Sequence, residues 1–190
     1  MVAQYKCIRT YVRVCVAGLW GGRRRGQACP PGVKLGYGEA SRRTRRPVGN
    51  AAMAYWLFKS EPATWSWDQQ VAAGAAGTFW NGVRNHLAKT QLMAMQVGEQ
   101  GYCYHSNEGK AVVGLVEVIR PYYPDHTDET GRFGMVDVRA VKALPRPVTL
   151  DAIKADPVLA EMVLVNNSRL SVQPVTEAEW ARVCALGGLG

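Results

Sequence analysis

The sequence is poor in the features that mark membrane, disulfide-bonded and metal-binding proteins. None of its apolar runs approaches the roughly 20 residues that a helix needs to cross a bilayer, so we expect no membrane partner. Its five cysteines form no C-x-x-C pair, and their odd count and irregular spacing argue against a disulfide framework or a zinc knuckle. Such cysteines suit a reducing compartment, and we expect a cytoplasmic protein.

Several fingerprints of nucleotide and metal chemistry are also missing. The chain has no G-x-x-x-x-G-K-[ST] phosphate loop and no G-x-G-x-x-G dinucleotide motif. It lacks the H-x-E and P-C-x-x-C pair of the zinc deaminases. His105 has no cysteine or carboxylate at metal-ligand spacing. We therefore expect no metal and no cofactor, and no residue pattern specifies an enzyme.

The positive charge is confined to the N-terminal part of the chain. The formal net charge is +8. Residues 1–52 hold 11 Lys and Arg against one acid, a net charge of +10, whereas residues 53–190 hold 12 against 14, a net charge of −2. Nonspecific attraction to phosphates therefore cannot be the main binding energy of residues 53–190, which favours a shaped pocket over a broad basic face.

Residues 1–52 differ from the rest in composition and show no sustained periodicity. They carry arginine clusters at 23–25 and 42–46 among glycines and prolines. We interpret them as a basic, disordered N-terminal extension, and prefer Met53 as the true start because it directly precedes the first clean strand pattern. A nucleic-acid-binding arm and an organelle transit peptide are the alternatives. Residues 53–190 then form the domain.

From residue 53 onward, strand and helix patterns alternate. Aromatic, β-branched or alternating residues predict strands at 55–59, 100–105, 111–119, 135–141 and 170–172. Periodicity and capping residues predict helices at 66–73, at 84–96, in two short turns within 150–164, and at 176–186. Thr176 and Glu179 form a capping box for the last helix. Several strands separated by short helices predict an α+β domain with a small, mostly antiparallel barrel or curled sheet.

Polar and aromatic residues gather where these elements end. Lys59 and Ser60 end the first strand, where polar groups can point into a cavity or simply form a turn. Farther along, Trp80 offers a stacking surface, and Arg84 can reach a phosphate or the edge of a base, with Asn85 beside it at a helix start. The alternative is that Trp80 belongs to the core and that Arg84 and Asn85 only solvate the start of a helix.

The strand that precedes Asn107 alternates between two faces. Tyr102 and Tyr104 share one face, and Cys103 and His105 share the other. His105 is followed directly by a serine, but no G-x-S-x-G elbow or oriented carboxylate accompanies the pair. We therefore favour a hydrogen-bonded role for this histidine over catalysis.

Two later segments repeat this combination of rings and polar groups. Either Tyr122 or Tyr123 could stack against a ligand or form a wall of the core. Arg169, Ser171 and Gln173 alternate with apolar neighbours and so share one face of a predicted strand. If buried, they need hydrogen-bond partners; if they line a cleft, they can recognise a base edge or a phosphate.

Taken together, five segments resemble the EVE domain, a branch of the PUA-like fold. In chain order they are residues 55–62 (YWLFKSEP), 80–85 (WNGVRN), 104–107 (YHSN), 123–125 (YPD) and 169–175 (RLSVQPV). The resemblance covers residues 54–186, and residues 1–52 have no counterpart in it.

The resemblance implies a compact β-barrel flanked by helices, with a pocket in which aromatic rings hold a flipped base. It also implies that Trp80, Tyr104, Ser106 and Asn107 lie nearest the base. Other residues would line the cleft and hold phosphates or base edges, namely Lys59, Ser60, Arg84, Asn85, Arg169, Ser171 and Gln173. His105 and Tyr123 complete the predicted site.

The function implied is a non-catalytic nucleic-acid-binding module that reads a modified DNA base of the 5-methylcytosine type. A base taken out of its stack needs aromatic plates and polar groups that read its edge, and the residues above supply both. The alternatives are a reader of RNA or modified tRNA of the PUA or ASCH type, a small-ligand sensor, and a small hydrolase with His105 or Glu61 as base.

Overall fold

The computed structural model describes residues 53–189, so the predictions made for residues 1–52 lie outside the described residues. Its strands are β1 (Tyr55–Ser60), β2 (Thr78–Trp80), β3 (Gln100–His105), β4 (Ala111–Pro124), β5 (Gly134–Thr149) and β6 (Val172–Val175). Its helices are α1 (Trp67–Ala72), α2 (His86–Ala94), α3 (Leu150–Ala155), α4 (Val163–Asn166) and α5 (Glu177–Gly187), with a 3₁₀ turn at Gly74–Ala76. None of the helices in this part of the chain is long and apolar enough to cross a membrane.

The strands form one sheet in the order β2-β5-β4-β3-β1-β6. β1 and β3 are parallel, and the other neighbours are antiparallel. A parallel pair needs a long crossover, which the segment containing α1, β2 and α2 provides. The α+β class and the mostly antiparallel pairing are therefore confirmed, and the fold is PUA-like. The described sheet is not closed as a barrel, because β2 and β6 remain its edges.

Alternating side chains bury two cores on opposite faces of the sheet. The first core takes residues from all six strands and from α2, which packs against β4, β5 and β6. Its buried members include Trp56, Phe58, Trp80, Leu92, Cys103, Val138 and Val172. The second core lies beneath α3, α4 and α5 and includes Leu57, Tyr102, Tyr104, Ile153, Leu164 and Trp180. The predicted separation of the two tyrosines of β3 from Cys103 is thus confirmed.

Helix starts follow the capping residues that the sequence provides. The capping box predicted at α5 is confirmed: Thr176 Oγ1 accepts from Glu179 N at 3.3 Å, and Glu179 Oε2 accepts from Thr176 N at 2.7 Å. The Ser66 cap predicted for α1 is also confirmed, and Gln69 completes a capping box there. Each such cap contributes about 1 kcal/mol to helix stability.

Several element boundaries differ from the prediction. β2 was not predicted, because three residues are too few to show a period. β4 and β5 run farther than predicted, because their pairing continues from Ala111↔Thr149 to Pro124↔Gly134 through register shifts that interrupt the alternation. α2 begins two residues later than predicted, since Asn85 is its N-cap, and β6 begins at Val172.

Candidate functional site

The carboxyl ends of β1 and β3 meet at one edge of the sheet. Ser60 is in register with His105, and the amide and hydroxyl of Ser106 donate to the Ser60 carbonyl at 2.8 and 3.1 Å. We call these three residues the strand-end edge. Parallel pairing of β1 and β3 brings them together, because the same ends of parallel strands lie side by side.

The Ser60 hydroxyl is the unusual polar group of this edge. Its oxygen is buried and makes no hydrogen bond of ordinary length and angle among the described residues. It lies on the face of the first core beside the Cys103 thiol: burial raises the pKa of that thiol to about 12, and a weak hydrogen bond with the Ser60 side chain opposes the rise. Buried hydroxyls are nearly always hydrogen-bonded, so an unsatisfied one at a strand end marks a place where a ligand group can bind.

Four indoles belong to the first core or pack against it, and three of them lie outside β1. Trp80 belongs to it, with 7% of its surface exposed, and its ring meets Phe58 edge-on at a centroid distance of 5.2 Å. Trp65 and Trp67 are partly buried and pack against the same core. We call Trp65, Trp67 and Trp80 the indole group. Sequence reasoning missed Trp65 and Trp67, although a Trp-Ser-Trp pattern directly after the first strand was a signal for them.

Specific contacts hold the first two indoles in place. Trp65 Nε1 donates to Gln70 Oε1 at 2.9 Å, and the fully buried Gln70 donates through Nε2 to the Val138 carbonyl at 3.0 Å. The Trp67 ring packs on Gly114, where a Cβ atom would lie 2.3 Å from indole Cη2. Only glycine therefore permits this approach of the ring to β4.

His105 is held by the start of α1. Its Nε2 accepts from the Trp67 amide at 3.1 Å, so the neutral ring carries its proton on Nδ1. Burial lowers the pKa of His105, and the charge of Asp68 opposes that shift. The histidine thus positions the helix that carries Trp67, and its Nε2 lone pair is engaged.

Tyr104 and Lys59 lie on the opposite face of the sheet. Tyr104 is 3% exposed in the second core, and Lys59 Nζ lies 5.7 Å from the centroid of its ring and donates to the Ser168 carbonyl at 2.5 Å. Burial lowers the pKa of Lys59. The expectation that Trp80 and Tyr104 flank the same base is therefore wrong, because the sheet separates the two rings.

Arg84 and Asn85 act within the fold. Arg84 Nη1 donates to Asp125 Oδ2 at 2.7 Å, and Nη2 donates to Thr127 Oγ1 at 2.9 Å. The Asp125 side chain is fully buried and also accepts from the Gly82 amide at 2.9 Å. Asn85 Oδ1 caps α2 through two backbone amides.

Tyr123 lies near the end of β4, half-exposed. Its hydroxyl donates to Asp137 Oδ1, and the Arg120 guanidinium lies 3.7 Å from the centroid of its ring. Burial and then the bond to Asp137 raise the pKa of Tyr123 to about 12. One face of the ring is thus covered by Arg120.

The residues predicted to share a face of the last strand have separate roles. Gln173 is 1% exposed, and its Nε2 donates to the Leu170 carbonyl at 2.7 Å and the Asn167 carbonyl at 3.3 Å. Its expected place in an open cleft is therefore wrong: it is a satisfied core amide. The Ser171 carbonyl accepts from the Lys59 amide at 2.9 Å, and Arg169 is exposed. The common face fails because only Gln173 lies within β6.

No three His, Cys, Asp or Glu side chains of residues 53–189 lie close enough together to hold a metal ion. The polar side-chain groups at the strand-end edge are two hydroxyls and an imidazole, and they lie beside apolar rings. Such a set offers hydrogen bonds and stacking to a flat organic group.

Comparison with known proteins identifies the family. A model of the EVE domain matches residues 54–186. The chain belongs to the EVE domain family. Among curated relatives of this EVE domain, thymocyte nuclear protein 1 of Gallus gallus is 34% identical over 164 residues, which cover 70% of this chain and 68% of the relative. The Homo sapiens protein is 32% identical over 165 residues, which cover 70% and 73%.

Solved structures of similar proteins have the same fold. The NMR structure of Rpa0253 from Rhodopseudomonas palustris has a TM-score of 0.69 and 61% identity, covering 72% of this chain and 94% of that one. Human THYN1 in complex with DNA containing 5-methylcytosine has a TM-score of 0.66 and 32% identity, covering 70% and 97%. The EVE domain of this chain therefore spans nearly the whole of both neighbours.

Proposed function

We propose that this EVE domain is a non-catalytic nucleic-acid-binding module that reads a flipped, modified DNA base of the 5-methylcytosine type. The observation that carries the proposal is the buried hydroxyl of Ser60, which makes no hydrogen bond of ordinary geometry and lies on the face that holds the indole group. Human THYN1, which is similar over most of the described chain, forms a complex with DNA that contains this base.

The recognition is argued from the chemistry of a base. A flipped base needs apolar faces above and below its ring and polar groups at its edge. Trp65 and Trp67 are only partly buried, so each retains surface that can stack on a base, whereas Trp80 is nearly buried. The Ser60 hydroxyl supplies one edge contact, and the half-buried Ser106 lies next to it.

The hydrogen bonds of this edge favour binding over catalysis. The Ser106 hydroxyl donates to a backbone carbonyl, and the Nε2 of His105 accepts from a backbone amide. The Ser106 hydroxyl and the His105 Nε2 are therefore both hydrogen-bonded to the main chain and form no nucleophile–base pair with each other. This argument supports a binding role for Ser106 and His105.

The test uses the full chain and fluorescence-labelled oligonucleotides. Matched DNA and RNA strands carry one central cytosine or 5-methylcytosine and are titrated at two salt concentrations. We expect 5-methylcytosine DNA to bind about fourfold more tightly than cytosine DNA, the gain from burying one methyl group. The ratio of the two affinities should be the same at both salt concentrations, because the methyl group carries no charge and the attraction of the basic residues 1–52 to phosphates is equal for both DNAs.

Two variants locate the contact. Ser60→Ala should weaken binding of 5-methylcytosine DNA about fivefold, the value of one hydrogen bond. Thr90→Ala, which removes an exposed hydroxyl from α2, should leave the affinity unchanged. Equal affinity for both bases, or unaltered binding by Ser60→Ala, would refute the proposal. Tighter binding of RNA than of DNA would support the RNA-reader alternative.

A further inference from the structure

A second cleft opens beside the strand-end edge. It has a volume of about 310 Å³, and it is lined by Asn107, Gly109, Lys110, Thr149, Leu150 and Asp151. One wall is the loop between β3 and β4, and the other is the turn from β5 into α3. The Leu150 amide donates to the Lys110 carbonyl at 2.7 Å, which fixes the two walls to each other.

The polar side chains of this cleft have hydrogen-bond donors and acceptors that are not used within the described residues. The side chains of Asn107, Lys110 and Asp151 form no hydrogen bond or ion pair within the described residues, although all three face the same opening. Thr149 Oγ1 accepts from the Ala152 amide at 3.2 Å and keeps its proton free to donate. The cleft thus presents a carboxylate, an ammonium and an amide around the partly buried Leu150.

The cleft adjoins the strand-end edge along the chain. Asn107 directly follows Ser106, which is hydrogen-bonded to Ser60. Ser60 faces the first core, whereas Asp151 lies on the side of Tyr104, so the loop at Asn107 stands between the Ser60 side chain and the cleft. If a modified base binds beside Ser60, a strand that crosses this loop brings its next nucleotide to the cleft.

We propose that this cleft binds the nucleotide adjacent to the flipped base and selects guanine there, an inference that rests on the proposed function. A carboxylate has two acceptor oxygens, and guanine is the only DNA base whose Watson–Crick edge presents two neighbouring donors, N1–H and the N2 amino group. Asp151 accepts from both. The Lys110 ammonium contacts the phosphate, as lysine does elsewhere in nucleic-acid complexes.

The size and the exposure of the cleft determine how strongly it can prefer guanine. Its volume is at the lower limit for small-ligand pockets, which suits one nucleotide and no larger group. Since Asp151 is exposed to solvent, the discrimination belongs at the weak end of the range for bidentate base contacts, about fivefold.

Direct binding to the cleft is measured without any modified base. The full chain, labelled with ¹⁵N, is titrated with dGMP, dAMP, dCMP, dTMP and inorganic phosphate, and the backbone amide signals are followed. We expect dGMP to shift the signals of Asn107, Gly109 and Asp151 at about fivefold lower concentration than the other nucleotides. Asp151→Asn should abolish that preference. Equal responses to all four nucleotides, or shifts reproduced by phosphate alone, would overturn the assignment.

A matched control separates recognition from helix stability. Glu177→Gln removes a first-turn carboxylate from α5 just as Asp151→Asn removes one from α3, but Glu177 lies outside the cleft. Glu177→Gln should therefore keep the dGMP preference. Loss of the preference in both variants would show that Asp151 acts through the helix and not through guanine.

Oligonucleotides then distinguish failure of this inference from failure of the proposed function. With 5-methylcytosine flanked by each of the four bases, we expect about fivefold tighter binding when guanine is the neighbour on one side. Asp151→Asn should lose this context preference and keep the preference for the methylated base. Methyl selectivity without a guanine preference overturns the inference alone. A dGMP-specific cleft without methyl selectivity supports the cleft and refutes the proposed function.

Discussion

Replacing Asp125 with asparagine removes the charge that holds the loop before α2. The carboxylate accepts from Gly82 N, Arg84 Nη1 and both the amide and the hydroxyl of Thr127, at 2.7 to 2.9 Å. Breaking a buried ion pair by removing one partner costs about 3–5 kcal/mol. The Arg84 side chain is 39% exposed and can be solvated by water, so we expect Asp125→Asn to cost about 2 kcal/mol.

The loss of stability caused by Asp125→Asn should depend on pH. Burial alone would raise the pKa of Asp125, but the bonds from Arg84, Thr127 and the Gly82 amide lower it well below its usual range. A carboxyl with a depressed pKa stabilises the fold above its unfolded-state pKa, about pH 4, and loses that contribution as the pH falls through the folded-state value. The stability gap between wild type and Asp125→Asn should thus be full at pH 7 and shrink below about pH 4.

Urea unfolding of the full chain at several pH values between 3 and 7, followed by tryptophan fluorescence, measures this gap. The control is Glu129→Gln, which neutralises an exposed carboxylate in the loop that carries Asp125. This variant should unfold like wild type. A gap below about 0.5 kcal/mol at pH 7, the size of an ordinary surface substitution, would refute the reasoning. So would a gap that stays constant over the whole pH range.

Two further predictions concern the first core. Ser60→Ala should leave the midpoint of thermal unfolding unchanged or raise it, because the substitution removes an unsatisfied buried hydroxyl. If the free energy of unfolding fell by more than about 1 kcal/mol, the hydroxyl would have a structural partner. Gly114→Ala should lower the free energy of unfolding by about 1–3 kcal/mol and shift the tryptophan emission, because the new methyl group displaces the Trp67 ring. Unchanged fluorescence and stability would contradict the packing of that ring on β4.

Much of the fold could be predicted from local patterns. The bounds of β3 match the prediction, β1 gains one residue, and both α1 and α5 start where Ser66 and Thr176 cap them. These elements depend on alternation and capping, which the sequence displays within a few residues. β2 and the far ends of β4 and β5 depend on pairing across the sheet, which no local pattern contains.

The candidate site was predictable only in part, for the same reason. The resemblance assigned Ser60 and Ser106 to one site, but the parallel pairing of β1 and β3 that places them side by side was not predicted. The sequence could not show that Gln173 would find backbone carbonyls, or that Trp80 and Tyr104 would enter different cores. The sequence also could not show that Asp125 would be buried, because its partners Gly82 and Arg84 lie about 40 positions earlier in the chain.

The division of the interior by the sheet also bears on how the domain can evolve. Side chains that point to opposite faces of a strand share no packing partners, and substitutions without shared partners have additive effects on stability. Substitutions among the indoles should therefore leave the packing of α3, α4 and α5 on the other face undisturbed. The same holds for Ser60 and Lys59, which are neighbours in the chain but point to opposite faces of the sheet.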